Sequence, residues 1–205
     1  MPDPLLYRIL VWLDFRLAAL FAIGLPLVLL VWCALRQERA LQRLLAIYWK
    51  VASLLLIAVL LLSNRSALGL ALLVVAPLLM AAVLWFWVDL NEELADFPIW
   101  RGLPLTVRIW RWSLTLYGLA LAALACTALP CLAGGLDRPI CSAWLEAPGA
   151  LHGVLAQVFG FVFGGRWTPA VAGFLGYAGL AGYGVGILQW LLVRLPRQGR
   201  VAGEF

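Results

Sequence analysis

Uncharged apolar runs alternate with short charged connections along this chain, and the lengths of the runs set the reading. A helix crosses the hydrocarbon core of a bilayer with about 20 apolar residues. Four runs reach that length without a formal charge: Leu17 to Leu35, Ala67 to Val88, Trp112 to Ala133 and Thr168 to Val193. A fifth, Leu44 to Ser63, carries Lys50 near its start, where a long side chain can snorkel to the headgroups. The pattern predicts an all-α, polytopic transmembrane helix bundle of about five spans. It forms one domain over residues 1–205, since no polar stretch is long enough for a separate soluble unit.

A sixth apolar segment, Leu151 to Gly165, is shorter and carries His152, Gln157 and several glycines. Its length suits a short re-entrant or interfacial helix. Charge separates this reading from a sixth span, because lysine and arginine accumulate on the cytoplasmic side. Five spans leave Arg8, Arg16, Arg65, Arg138 and Arg166 on one side against ten basic residues on the other; six spans give 7 against 8 and erase the bias. The expected orientation puts the N-terminus in lumen or periplasm and the C-terminus in the cytoplasm. The first helix is expected to be retained, since its start lacks the basic flank of a cleaved signal. Trp32, Trp49, Trp85, Trp87, Trp110, Trp112 and Trp190 fall at the cytoplasmic ends. Headgroup anchoring explains them, with pigment contacts as the sharper alternative.

Composition supports membrane insertion. Hydrophobic residues make up 65% and charged residues 12%, against roughly half and a quarter in soluble domains, so too little polar surface exists to keep the chain in water. The net charge of +5 is scattered between apolar runs, which fits lipid headgroups and topology control. A nucleic-acid face would need a concentrated basic stripe, so nucleic acid is discounted as a partner.

Polar chemistry concentrates in WFWVDLNEELADFP, Trp85 to Pro98, where Asp89, Glu92, Glu93 and Asp96 share a helical face at the end of the third span. Carboxylates there oppose the helix dipole, so nearby cations are expected from Arg36, Arg39, Arg43, Arg101, Arg108 and Arg111. The readings are an ion-paired helix end, a docking surface for a basic partner, or, less favoured, a hard-cation site. Zinc and di-iron sites do not fit a chain with one histidine. No metal site is predicted. Three cysteines cluster near the external end of the fourth span, and Cys131 with Cys141 either form a disulfide in an oxidising compartment or stay buried thiols. His152 reads as a hydrogen-bonded structural residue, or as an axial ligand to chlorophyll or haem. No cofactor is predicted, although chlorophyll or a carotenoid would suit such a site.

In the last span Gly173, Gly176, Gly179, Gly182 and Gly186 permit close helix approach, either within the chain or in a homo-oligomer or partner interface. Pro26 and Pro77 are expected to kink their spans. The central spans lack ionisable residues at mid-membrane, which weakens proton-coupled transport. Nothing places a nucleophile beside the single histidine, so no catalytic residue is assigned.

The strings LDFRLAA, Leu13 to Ala19; IYWKVASLL, Ile47 to Leu55; LWFWVDLNEEL, Leu84 to Leu94; IWRW, Ile109 to Trp112; and QGR, Gln198 to Arg200, together resemble a cyanobacterial membrane-protein family catalogued as a domain of unknown function. The resemblance covers most of the chain and implies a thylakoid or plasma membrane location. It supplies no catalytic residue, cofactor or substrate. The expected role is a non-enzymatic protein bound to a photosynthetic membrane complex, as accessory subunit or assembly factor. The alternative is a small channel or transporter for a weakly charged solute. An enzyme of lipid or pigment intermediates, acting through the carboxylates, is the weakest reading.

Overall fold

The computed structural model describes residues 4–98, 100–134, 136 and 138–202, with residues 134 and 198 described by backbone alone. The described residues form helices and connections, without strands: α1 (Pro4–Ala18), a π-helical turn (Ala19–Gly24), α2 (Leu25–Arg36), α3 (Arg39–Ser63), α4 (Leu68–Phe86), α5 (Val88–Asp96), α6 (Gly102–Cys126), α7 (Cys131–Gly134), α8 (Pro139–Phe163), α9 (Pro169–Gln189), a second π-helical turn (Trp190–Arg194) and α10 (Leu195–Gln198). Among the described residues, six helical runs have the length and apolarity of a membrane span, including the continuous Pro4–Arg36 and the helix Pro139–Phe163.

Side-chain bonds fix which helix ends lie together. Tyr7, early in α1, shares a hydrogen bond of 2.7 Å with Thr127 just past α6. At this first end the hydroxyl of Ser66, between α3 and α4, also meets that of Tyr177 in α9 at 2.8 Å. At the opposite, second end Gln42 of α3 donates to the carbonyl of Cys33 in α2 at 2.9 Å. There Arg111, early in α6, reaches the carbonyl of Leu84 in α4, and Arg200, beyond α10, donates to Phe86 O at 2.8 Å. The runs α1–α2, α3, α4, α6 and α9 therefore alternate in direction and make five crossings.

Helix α8 receives the chain from the end of α6 and passes it to the start of α9, both at the first end. It therefore does not join opposite ends, although its 25 residues would suffice to do so. It runs across that end instead. Cys141 is bonded to Cys131, Trp144 donates to the Tyr7 hydroxyl at 2.8 Å, and the Ser63 hydroxyl reaches Pro148 O at 3.3 Å. The expected short helix at Leu151 to Gly165 is thus corrected in extent: it is the far half of a longer helix begun by Pro139 at its first turn.

Helix α3 lies at the centre, packed on by α2, α4, α8 and α9. Leu41, Leu44, Leu45, Tyr48, Ala58, Leu61 and Leu62 are all buried in it. Close approach to α4 depends on Gly69. A Cβ there would sit 2.7 Å from Leu62 Cγ and 2.9 Å from the carbonyl oxygen of Ala58, which cannot move away. Gly69→Ala is expected to destabilise the protein by about 1–3 kcal/mol, the usual cost of overpacking. Gly149→Ala is the control, because a Cβ there meets nothing within 4 Å. Equal thermal midpoints for the two variants in detergent would count against this packing.

The prolines sit where partners can absorb them. Pro26 cannot donate to carbonyls one turn back, and the π-helical turn before it leaves two carbonyls, Phe21 O and Ala22 O, to be served from elsewhere. Trp110 Nε1 of α6 donates to Phe21 O at 3.0 Å and the Tyr48 hydroxyl of α3 to Ala22 O at 2.8 Å. Pro77 in α4 lies against Gly118 of α6, where a Cβ would be 3.1 Å from the Pro77 carbonyl oxygen.

Candidate functional site

The second end of the bundle gathers the predicted polar residues. Helix α4 stops because Trp87 adopts an extended backbone, φ −85° and ψ 116°. The carboxylates therefore belong to a new helix, α5, and do not crowd the C-terminus of the third span. Asp89 falls in the first turn of α5, where the dipole favours a negative charge. Leu90 and Leu94 form the buried face of α5, and Glu92, Glu93 and Asp96 are exposed.

Ending α4 at Phe86 leaves carbonyls that its own helix cannot satisfy. The Val88 N–H, which would return to Leu84 O in an unbroken helix, instead donates to Arg200 O at 3.1 Å. Leu84 O accepts from Arg111, Trp85 O from Asn91 Nδ2 at 3.0 Å, and Phe86 O from Arg200 Nε at 2.8 Å. Arg111 also donates to Asn91 Oδ1 at 2.5 Å and lies over the Trp85 ring, 4.2 Å from its centroid. It is only 5% exposed. Arg108 caps the next helix end through Leu94 O, at 2.7 Å, and Phe97 O, at 3.2 Å.

The expected web of arginine–carboxylate pairs is therefore reduced to particular contacts. One nitrogen of Arg43 lies 2.6 and 2.8 Å from the two oxygens of Glu93. Asp89 accepts from the backbone N–H of Ala202 at 3.0 Å and so holds the C-terminal segment. Arg108 and Arg111 bind neutral acceptors, while Arg36, Arg39 and Arg101 are exposed. Among the described residues no three His, Cys, Asp or Glu side chains converge as a metal site would require.

Beside this capping cluster an apolar groove of about 740 Å³ opens between α3, α4 and α9. Three glycines of α9 lie tight against α3: Cβ atoms at Gly173, Gly176 and Gly179 would fall within 3.3 Å of Asn64, Leu61 and Ile57. Further along α9, Gly186 lines this groove, and a Cβ there would meet nothing within 4 Å, as at the exposed Gly182. The groove is also lined by Val51, Leu79, Val83, Phe86 and Ile187, with Lys50, Gln189 and Arg194 among its polar groups. Trp190 stands against Phe86 and Trp87, with ring centroids 5.6 and 6.1 Å away. Trp87 also lines the groove and is buried, and among the described residues its indole N–H has no hydrogen-bond partner.

The remaining predicted residues lie at the first end. Cys131 and Cys141 form a disulfide with Cα atoms 5.9 Å apart, and Cys33 and Cys126 are free thiols. Thiol titration of the denatured protein is expected to give two thiols without reductant and four with it; four in both cases would rule the bond out. His152 Nδ1 accepts from Trp167 Nε1 at 3.1 Å. In the neutral ring that bond places the proton on Nε2.

Several residues escaped the sequence reading. Asn91 had no signal beyond its place in the acidic string, and Gly69, Gly118 and the groove residue Gln189 had none. Trp110, expected at the headgroups, is 2% exposed and serves Phe21 O. The break at Trp87 was the missing fact, since it sets which carbonyls need donors.

A family model described as "Protein of unknown function (DUF3177)" matches residues 8–203. No curated protein and no solved structure matches the chain.

Proposed function

The chain belongs to the DUF3177 family, and from that premise we propose that it is a non-enzymatic integral membrane protein that associates with a larger membrane complex, as an accessory subunit or assembly factor. A cyanobacterial thylakoid or plasma membrane is the proposed location, and a photosynthetic complex the proposed partner, as the sequence resemblance implies. The observation that carries this reading is the use of the second-end polar residues. Arg108, Arg111, Asn91, Asp89 and Arg200 are committed to backbone groups of α4, α5 and the C-terminal segment. Such groups hold a surface in shape; they are not placed to act on a substrate. The outer half of α9 and much of α8 supply apolar surface on which a membrane partner would seat, with Phe161, Phe163 and Phe174 exposed.

The channel reading has less support, because the bundle axis is filled by the buried side chains of α3. For orientation, two independent features favour an external first end. The first end carries four of the fifteen basic residues, Arg8, Arg65, Arg138 and Arg166, while Arg16 lies further along α1, and it also carries the disulfide. Purification from native membranes in mild detergent, followed by absorption spectroscopy and mass spectrometry, tests the association. A co-purifying membrane complex is expected; a homogeneous particle of this chain alone would overturn the reading.

A further inference from the structure

We infer that His152 and Trp167 form a pH-sensitive latch: the neutral imidazole holds the segment that returns from α8 to α9 against α8, and protonation of the ring releases it. This goes beyond association with a complex and does not depend on it.

The latch lies in a part of the chain that is held by its own contacts. Burial of α8 against the bundle ends at Pro148 and resumes at Ala172 of α9, and no residue from 149 to 171 is buried. After Phe163 the chain reverses at Gly164, whose φ of 64° suits glycine, and runs back beside the helix it has just left. Two side chains of α8 receive Trp167 there. Its indole N–H donates to His152 Nδ1 at 3.1 Å, and its ring centroid lies 5.4 Å from that of Phe159. A segment with so few buried contacts opens at low cost, so one hydrogen bond changes its balance measurably.

The chemistry of that bond makes it sensitive to pH. An indole nitrogen only donates, so His152 Nδ1 must keep its lone pair and the ring must be neutral. A protonated ring carries hydrogens on both nitrogens, and two donors then face each other. A cation–π contact does not replace the bond, because the two ring centroids are 6.4 Å apart, beyond the reach of about 6 Å, and the rings are tilted by 43°. Among the described residues no carboxylate is bonded to His152. The described charged groups at this end are Arg166 in the returning segment, Arg65 beyond α3, Arg138 before α8, and Arg8 of α1. Glu146 of α8 is already bonded to Arg8 and to Trp12 of α1, and Asp14 is buried two helical turns beyond Tyr7. Helix α9 brings Tyr177, bonded to Ser66. Imidazole is the side chain whose charge ordinarily changes between about pH 5 and 8, so the latch is closed at the upper end of that range and released at the lower.

The chain has a single histidine, so ¹⁵N-histidine NMR of the full protein in detergent micelles reads the latch without ambiguity. At about pH 8 the ring is expected to carry its hydrogen on Nε2, with Nδ1 as an acceptor. Fluorotryptophan ¹⁹F NMR reports the other partner, the Trp167 signal being the one lost in Trp167→Phe. That signal is expected to move with the same midpoint as the imidazole, and the ratio of released to latched Trp167 to rise about fivefold between about pH 8 and 5, the worth of one hydrogen bond. His152→Asn, which offers an amide oxygen near the place of Nδ1, should keep the latched signal throughout, and His152→Phe, which offers no acceptor, the released one. A ring with its hydrogen on Nδ1 at about pH 8 overturns the inference, and that measurement requires no variant. A Trp167 signal that ignores the titration of His152 also overturns it, as does one that titrates unchanged in His152→Phe.

Discussion

Arg111→Met is expected to be the most destabilising single substitution at the second end of the bundle, at about 3–5 kcal/mol. The guanidinium serves Leu84 O and Asn91 Oδ1 and lies over the Trp85 ring. Methionine keeps much of the volume but strands both acceptors where water does not reach them, at about 1–3 kcal/mol each. Loss of the contact with the indole adds to this, since a cation over an aromatic face is worth about 2 kcal/mol when desolvated. Arg111→Lys should recover less than half, because both bonds come from Nη2 at the far end of the guanidinium, beyond the reach of the shorter lysine chain, and an ammonium lacks the flat face that lies over Trp85. Asn91 links two bonds: its Nδ2 donates to Trp85 O while its Oδ1 accepts from Arg111, so the partners fix its orientation. Asn91→Leu and Arg111→Met should therefore be non-additive in a double-mutant cycle. Unfolding in mixed detergent micelles gives the measurement. A loss below about 1 kcal/mol for Arg111→Met would mean that water replaces the guanidinium and that the end is open.

The crossings were legible in the sequence for a simple reason. Lipid forbids charge over a fixed length, so the uncharged runs mark the spans almost directly. The same rule misjudged the helix limits, because a charge ends a span but need not end a helix. Arg8, Asp14 and Arg16 all lie inside α1. Helix α8 shows the converse, having span-like length while running across one end, a placement set by its bonds to Cys131, Tyr7 and Ser63. Those bonds depend on contacts far apart in sequence, and no local pattern encodes them. The carboxylates were legible as residues of one helix, whereas their partners were not. Once Trp87 breaks the backbone, the strongest donors go to carbonyls, and the electrostatic pairing expected from charge alone survives between Arg43 and Glu93.

Tyr48→Phe should expose how the Pro26 joint is held. The ring stays, with its edge-to-face contact to Trp110 at 5.0 Å, so the substitution removes little more than one hydroxyl. That hydroxyl is the donor to Ala22 O, and Ala22 is fully buried. An acceptor left unpaired there costs about 1–3 kcal/mol, because Pro26 has no N–H to offer in its place. Pro26→Ala restores an N–H and lets the π-helical turn relax toward α-helix, which would make the tyrosine hydroxyl redundant. In the Pro26→Ala background, Tyr48→Phe is therefore expected to cost no more than about 0.5 kcal/mol, and the coupling between the two sites should reach about 1–2 kcal/mol. Trp110→Phe tests the neighbouring carbonyl, Phe21 O, and should couple to Pro26 in the same sense. Strict additivity would mean that the two carbonyls do not depend on these side chains, and that the joint of α1, α3 and α6 is held by apolar contact alone. Coupling at both carbonyls would establish that the proline fixes where the polar contacts between these helices must form, because it creates the acceptors that Tyr48 and Trp110 serve.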